Sequence, residues 1–245
     1  MLFEKEESKI KCKFMSHPLI IMKETEYPFI PYKQQKFEED EMIKRSKEFY
    51  DFMDKRRSIR EFQDKDVPRE VIENIVMTAS SAPSGAHKQP WTFCIIRSSE
   101  LKSKLRALAE EEEKKNYEFR MSDRWLEDLA PLGTDEVKEF IDIAPWIIVV
   151  MKKSYGLDKD GNKTQNYYVN ESVGIASGFL IAAIHQAGLC TLTHTPSPMN
   201  FIAKALGRPE NEKPYLLLPV GYAAEDCQVP DIHRRPFDEV AIYFD

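Results

Sequence analysis

Asn166-Tyr-Tyr-Val-Asn-Glu-Ser-Val-Gly-Ile-Ala-Ser-Gly-Phe-Leu-Ile-Ala-Ala-Ile-His-Gln-Ala187 reads as one long helix. It is dotted with Gly174, Ala176, Ser177, Gly178, Ala182 and Ala183. Small residues on an apolar helix let neighbours approach closely, so the stretch is expected to be a central, buried helix. Gly188 is its expected C-cap. Outward toward the C-terminus, Leu189 to His194 reads as a strand and Met199 to Leu206 as a short helix stopped by Gly207. Tyr215 to Val220 follows as a further strand. Toward the N-terminus, Pro145 opens the apolar strand Trp146 to Met151, and Trp91 to Ile96 reads as another buried strand. Leu101, Leu105 and Leu108 mark a helix running on to Tyr117. Pro68 suits the first turn of a helix whose face is Val71, Ile72, Ile75, Val76 and Ala79, ending before Pro83. Met42, Phe49, Phe52 and Met53 recur at helical spacing between Glu39 and Lys55. Helices and strands mix throughout, which makes the class α/β or α+β. No break in composition divides 39–223, so one domain is expected there, with an irregular arm at 1–38 and a tail at 224–245.

The 245 residues carry a net charge of −6, and 31% of them are charged. That is ordinary globular composition. A polyanion of this kind is not drawn to nucleic acid, although a local basic patch can still hold an anion. Cysteines stand at 12, 94, 190 and 227, none at metal-finger or redox-motif spacing, which fits a reducing compartment. Cys94 and Cys190 sit in apolar runs and read as core thiols. No secretory h-region opens the chain, and the longest apolar runs fall far short of the roughly 20 residues that span a bilayer. A cytoplasmic protein without a membrane segment is expected. No metal site is expected from the histidines, and His185 in the long helix reads as a satisfied core residue.

No Gly-rich phosphate loop is present, so phosphate binding would fall to cations. Arg56-Arg57-Ser58-Ile59-Arg60 follows the first helix and brings three guanidiniums within five residues. Guanidiniums bind phosphate by paired, charged hydrogen bonds. A solvated basic turn is the plainer alternative. Arg234-Arg235 could close the same site. Ala82-Pro-Ser-Gly-Ala-His87, followed by Gln89-Pro-Trp91, would let backbone approach a flat ligand, or is simply a connecting loop. Glu113 and Tyr117 stand four residues apart and share one helix face. With Lys138 they offer a negative group, a phenol and a positive group, a set matched to a zwitterionic amino acid. A solvated charged helix is the alternative there. Phe119 to Thr134 could order over a ligand as a lid, or be an ordinary surface connection.

Taken together, Arg56-Arg-Ser-Ile-Arg60, Pro83-Ser-Gly-Ala-His87 with Pro90-Trp91, and Leu218-Pro-Val-Gly-Tyr222 resemble the nitroreductase-like FMN flavoproteins. The run Glu110 to Glu113 before Tyr117, Arg120-Met121, Arg124-Trp125 and Gly207-Arg-Pro209 resemble the iodotyrosine deiodinases within them. The resemblance implies an α+β fold, a mixed sheet flanked by helices, built as an intertwined homodimer with FMN at the subunit interface. It implies reductive dehalogenation of mono- and diiodotyrosine to tyrosine and iodide, with NAD(P)H, directly or through a reductase, as electron source. It also implies that the segment Arg56, Arg57, Ser58, Ile59 and Arg60 holds the phosphate and ribityl chain of FMN, assisted by Arg235. Pro83 and Ser84 would lie beside the flavin ring, and Thr193, His194 and Thr195 would line its other edge. The Thr195 hydroxyl would sit near flavin N5, a contact linked in this family to one-electron chemistry. The Ala86 N–H would meet the halotyrosine phenolate, while Glu113, Tyr117 and Lys138 hold the amino-acid end. Two rival functions stay open at this level: a general nitroreductase or quinone reductase, and a flavin- or halotyrosine-binding module without turnover.

Overall fold

A computed structural model describes residues 27–244; the expected arm as far as residue 26, with Cys12, lies outside the described residues. The chain divides into two compact units, 1–44 and 45–245. In the first, residues 27–38 form neither helix nor strand and expose Tyr27, Phe29, Ile30 and Tyr32. Helix α1 (Glu39–Asp54) starts there on three acidic residues, Glu39, Asp40 and Glu41, which favour the positive end of the helix dipole. No residue of α1 is buried, and its Met42 and Phe49 are exposed.

The second unit is built on four strands: β1 (Trp91–Ile96), β2 (Trp146–Lys153), β5 (Cys190–Thr191) and β6 (Glu212–Gly221). Their order is β1-β2-β6-β5, and every ladder is antiparallel. The parallel component of the sheet is one bridge, Ser58 to Thr191. Strands β3 (Tyr155–Leu157) and β4 (Lys163–Gln165) form a separate hairpin. Helices α2 (Arg69–Ser80) and α6 (Val169–Gln186) cover one face of the main sheet. Helices α3 (Ser99–Lys115), α5 (Phe140–Ile143) and α7 (Asn200–Ala205) cover the other.

Strand β2 shows why the sequence reads as an unbroken apolar run. Trp146, Ile148 and Val150 pack against α2 and α6, while Ile147, Val149 and Met151 pack against α3, α5 and α7. A strand covered on both faces has no polar side to alternate with. Strand β6 starts earlier than its apolar core, at Glu212, and runs through Pro214. The register shifts opposite Val150 and Met151, a bulge that accommodates a residue with no N–H to give.

Helix α6 differs from its expectation in one respect. Val173, Ala176, Ser177, Leu180 and Ile184 are buried, but Ile175 and Phe179 are exposed, so the described residues leave one face uncovered. Tyr168 precedes the helix in the left-handed region, and Gly188 follows it at φ 73°, the stop expected of a glycine there. The strand expected over 189–194 shortens to β5. The Thr191 carbonyl is taken by the Ile59 N–H at 3.1 Å, and only His194 rejoins β6, exchanging backbone bonds with Leu217 at 2.9 and 3.0 Å. Helix α3 also stops earlier than expected. Asn116–Arg120 widens into a π-turn, with the Met121 N–H reaching back to the Asn116 carbonyl at 2.9 Å. No described helix is long and apolar enough to cross a membrane.

Candidate functional site

The arginine cluster is positioned by its middle residue. Ile59 is buried in the core, and its N–H is bonded to β5. In extended chain, neighbours point the other way, so Ser58 and Arg60 face a cavity that Ile59 does not line. Ile59 is therefore an anchor by its side chain rather than a ligand-facing group. Arg56, Arg57, Ser58 and Arg60 line a cavity of about 330 Å³, closed by Pro230, Ile232, His233 and Arg234. The Arg57 guanidinium donates to the Pro230 carbonyl. Arg234 donates to the Asp54 carboxylate and carbonyl at 2.9 Å and to the Arg56 carbonyl at 3.0 Å. Arg235, expected to assist here, is not among the lining residues; its neighbour Arg234 is. Burial lowers the Arg56 pKa, and the nearby Arg234 and Arg57 lower it further. Cations crowded in this way are a cradle that an anion would relieve.

A second cavity of about 360 Å³ adjoins the first through Ser58, Arg60 and Leu132. It brings together Glu113 and Tyr117 from the α3 end, Lys138 from the segment before α5, and Thr193, His194 and Thr195 after β5. The side chains alternate there: Thr193 and Thr195 are exposed, and His194 is buried. Helix α4 (Asp123–Leu129) closes the opposite side with Trp125 and Leu129, joined by Met121, Leu132 and Thr134. This is the segment expected to act as a lid, and it is helical, with Gly133 turning it back at φ 57°.

Glu113 and Lys138 are 7% and 3% exposed, and their charged groups stand 4.0 Å apart. Burial raises the Glu113 pKa and Lys138 opposes the rise. Burial lowers the Lys138 pKa and Glu113 opposes that. The two shifts agree in physical cause: each charge is short of solvation that its partners only partly replace. The Lys138 ammonium also donates to the Asp135 carbonyl and lies 5.9 Å from the centre of the Tyr117 ring. The Tyr117 hydroxyl donates to the Thr134 carbonyl at 3.0 Å. Burial raises its pKa, so the phenol stays a donor.

His194 was not distinguished by pattern beyond its place between two threonines. Its Nε2 is buried with no hydrogen-bond partner in the described structure, and its ring meets Phe140 edge-on at 5.4 Å. Burial, then Lys138 and Arg60, lower its pKa to about 3, so the ring is neutral. An orphaned buried polar atom in a cavity wall is a place where a ligand or water belongs.

Pro83, Ser84 and Ala86 line neither cavity of their own chain. They sit in the loop before β1, where Ala86, His87 and Gln89 all take positive φ. The turn uses up its neighbours' donors. Gly85 N–H is directed to the Ser172 hydroxyl, while His87, Lys88 and Gln89 N–H return to Ser84 and Gly85. Nothing among the described residues accepts from the Ala86 N–H, which is exposed. Residues held in this sparsely populated region cluster at functional sites.

Among the other residues weighed, His185 is half-buried rather than in the core, and its Nε2 donates to the Phe52 carbonyl at 2.9 Å. Cys94 and Cys190 are half-buried free thiols, and burial raises the pKa of both.

Residues 53–222 match the model of the nitroreductase family. An iodotyrosine deiodinase of Haliscomenobacter hydrossis is 60% identical over 214 residues, 87% of this chain and 96% of that protein. Iodotyrosine deiodinase 1 of Homo sapiens is 45% identical over 87% of this chain and 74% of its own length. A crystal structure of oxidised iodotyrosine deiodinase bound to FMN and 3-iodo-L-tyrosine superposes with a TM-score of 0.68 at 28% identity, covering 80% of this chain and 98% of that one. The fold is thus that of a nitroreductase-type protein. This chain belongs to the nitroreductase family and, within it, to the iodotyrosine deiodinases.

Proposed function

We propose that this protein removes iodide reductively from 3-iodo-L-tyrosine and 3,5-diiodo-L-tyrosine, with FMN as its cofactor. The observation that carries the reading is the buried pair Glu113 and Lys138 beside Tyr117, walling a cavity that opens onto the arginine cluster. A cavity for apolar nitro compounds or quinones has no use for two desolvated opposite charges. A zwitterionic amino acid does, because its ammonium pairs with Glu113 and its carboxylate with Lys138. The deiodinase relatives support the same assignment.

The residues fit FMN. Arg56, Arg57, Ser58 and Arg60 would take its phosphate and chain, with Arg234 at the rim in the place first expected for Arg235. Thr193 and Thr195 present hydroxyls to the adjoining cavity. When bound, FMN supplies the two electrons that, with one proton, turn an aryl iodide into the arene and iodide. The protein's own task is placement and water exclusion. Tyr117 donates a phenolic hydrogen bond, α4 covers the cavity, and Thr195 holds a hydroxyl toward the ring edge. The free Ala86 N–H is suited to a phenolate, a charge-assisted bond.

Ala86 does not reach its own chain's cavity, so the complete site draws Pro83, Ser84 and Ala86 from a second copy. Uncovered apolar residues on α6 and in the second unit's part of α1 support a homodimer. NAD(P)H, directly or through a partner reductase, provides the electrons.

The test is titration of the oxidised, FMN-loaded protein. Iodotyrosine quenches flavin fluorescence at micromolar concentration, and tyrosine binds far more weakly because its phenol ionises less readily. Equal affinity for the two, or protein that refuses FMN, contradicts the proposal.

A further inference from the structure

Four consecutive glutamates, Glu110 to Glu113, close α3, and the structure separates their tasks. Glu111 and Glu112 pair with Lys115 and Arg120 at the surface, and Glu113 faces the cavity. Glu110 lines no part of the cavity. Its Oε1 accepts from the Arg106 Nε at 2.8 Å and from the backbone N–H of Lys138 at 2.8 Å.

That second bond matters because Lys138 lies in the irregular segment just ahead of α5, whose N-cap is Glu139, and its N–H has no backbone acceptor among the described residues. Glu110 supplies a carboxylate acceptor from another helix. The carboxylate is held in turn: Arg106 also donates to Asp142 Oδ2 at 3.0 Å, and the Ser103 hydroxyl donates to Asp142 Oδ1 at 2.9 Å. The Lys102 ammonium, itself 7% exposed, donates to the Asp142 and Ala144 carbonyls at 2.8 Å each. The face of α3 that precedes Glu113 therefore grips the whole segment that carries Lys138. The distance between the two charges of the clamp is set by this grip.

We infer that Glu110, held by Arg106, is a positioning residue that fixes the Lys138 backbone so that the Glu113–Lys138 pair spans the amino-acid end of the substrate. The inference rests on the function proposed above. Glu110 touches no substrate atom, and its effect passes through Lys138.

The experiment compares 3-iodo-L-tyrosine with 2-iodophenol, which lacks the amino-acid end, by flavin fluorescence quenching on the full-length, FMN-loaded protein. Glu110→Ala weakens iodotyrosine binding by about tenfold, as expected for a lost charge-assisted bond, and leaves 2-iodophenol binding unchanged. Glu110→Gln restores most of the affinity, because an amide oxygen still accepts from the Lys138 N–H. Arg106→Gln, which keeps the carboxylate but frees it, gives an intermediate loss and stands in if Glu110→Ala does not fold. An unaltered iodotyrosine affinity, an equal loss for both ligands, or failure of Glu110→Gln to restore binding overturns the inference. Wild-type protein that does not prefer iodotyrosine to tyrosine overturns the proposed function as well.

Discussion

Lys138 and Glu113 carry opposite charges, yet burial acts against the charged form of both. Under the proposed function, an arriving zwitterion would give each a further charged partner and be held by that need. Replacing either with Gln should weaken iodotyrosine binding by about tenfold or more, the scale of a lost charged hydrogen bond, and should spare 2-iodophenol. Fluorescence titration checks this, and equal losses for both ligands would show a general collapse of the cavity instead. His194 gives a second test. In the unfolded chain it titrates near its ordinary value, whereas in the fold it stays neutral to about pH 3. Below the unfolded value only the unfolded state takes the proton, so stability falls on acidification. The slope is about 1.4 kcal/mol for each pH unit until the folded value is reached. Denaturant melts between pH 7 and 5 should show a shallower fall for His194→Thr than for wild type. At this scale, charge pairing was partly legible: type and spacing put Glu113 and Tyr117 on one helix face, but only the family resemblance preferred them, with Lys138, over a solvated charged helix. The orphaned nitrogen of His194 was not, because it depends on Phe140 and Lys138 arriving from elsewhere in the chain. Nor was it legible that Arg234, bonded to Asp54, rather than Arg235 lines the cavity beside the arginine cluster.

At the scale of elements, the sequence speaks where a residue has one local option. Trp91 to Ile96 is found at its expected limits, and Gly188 ends α6 in the left-handed region that glycine adopts freely. A Cβ there meets no atom within 4 Å, so Gly188→Ala should cost only the backbone strain, about 1 kcal/mol, read as a lower denaturant midpoint with unchanged slope. Gly85 is different. A Cβ there falls 2.8 Å from the Tyr167 carbonyl, so Gly85→Ala should disturb the loop that presents Ala86 and weaken iodotyrosine binding. The left-handed residues of that loop and the π-turn after α3 carry no sequence signal, since alanine and tyrosine prefer neither. Both are imposed by packing, and the π-turn borders the second cavity through Tyr117. The π-turn swings the chain after Tyr117 toward α4, whose Ser122 hydroxyl accepts from the Trp125 N–H.

Over the whole molecule, one chain brings the arginines, the Glu113–Lys138 pair and Thr193 and Thr195 to two adjoining cavities, while its Pro83-Ser84-Gly85-Ala86 loop lines neither. The homodimer proposed above would resolve this, with the loop reaching the cavity of a second copy. Light scattering should report twice the chain mass, and a monomer that still binds iodotyrosine tightly would count against a shared site. The most direct test is chemical: FMN-loaded protein is reduced with dithionite in the presence of 3-iodo-L-tyrosine, and free iodide is measured. Stoichiometric release of iodide and tyrosine, abolished by Lys138→Gln at the same substrate concentration, is the expected result. Ready reduction of nitroaromatics with no iodide released would contradict it.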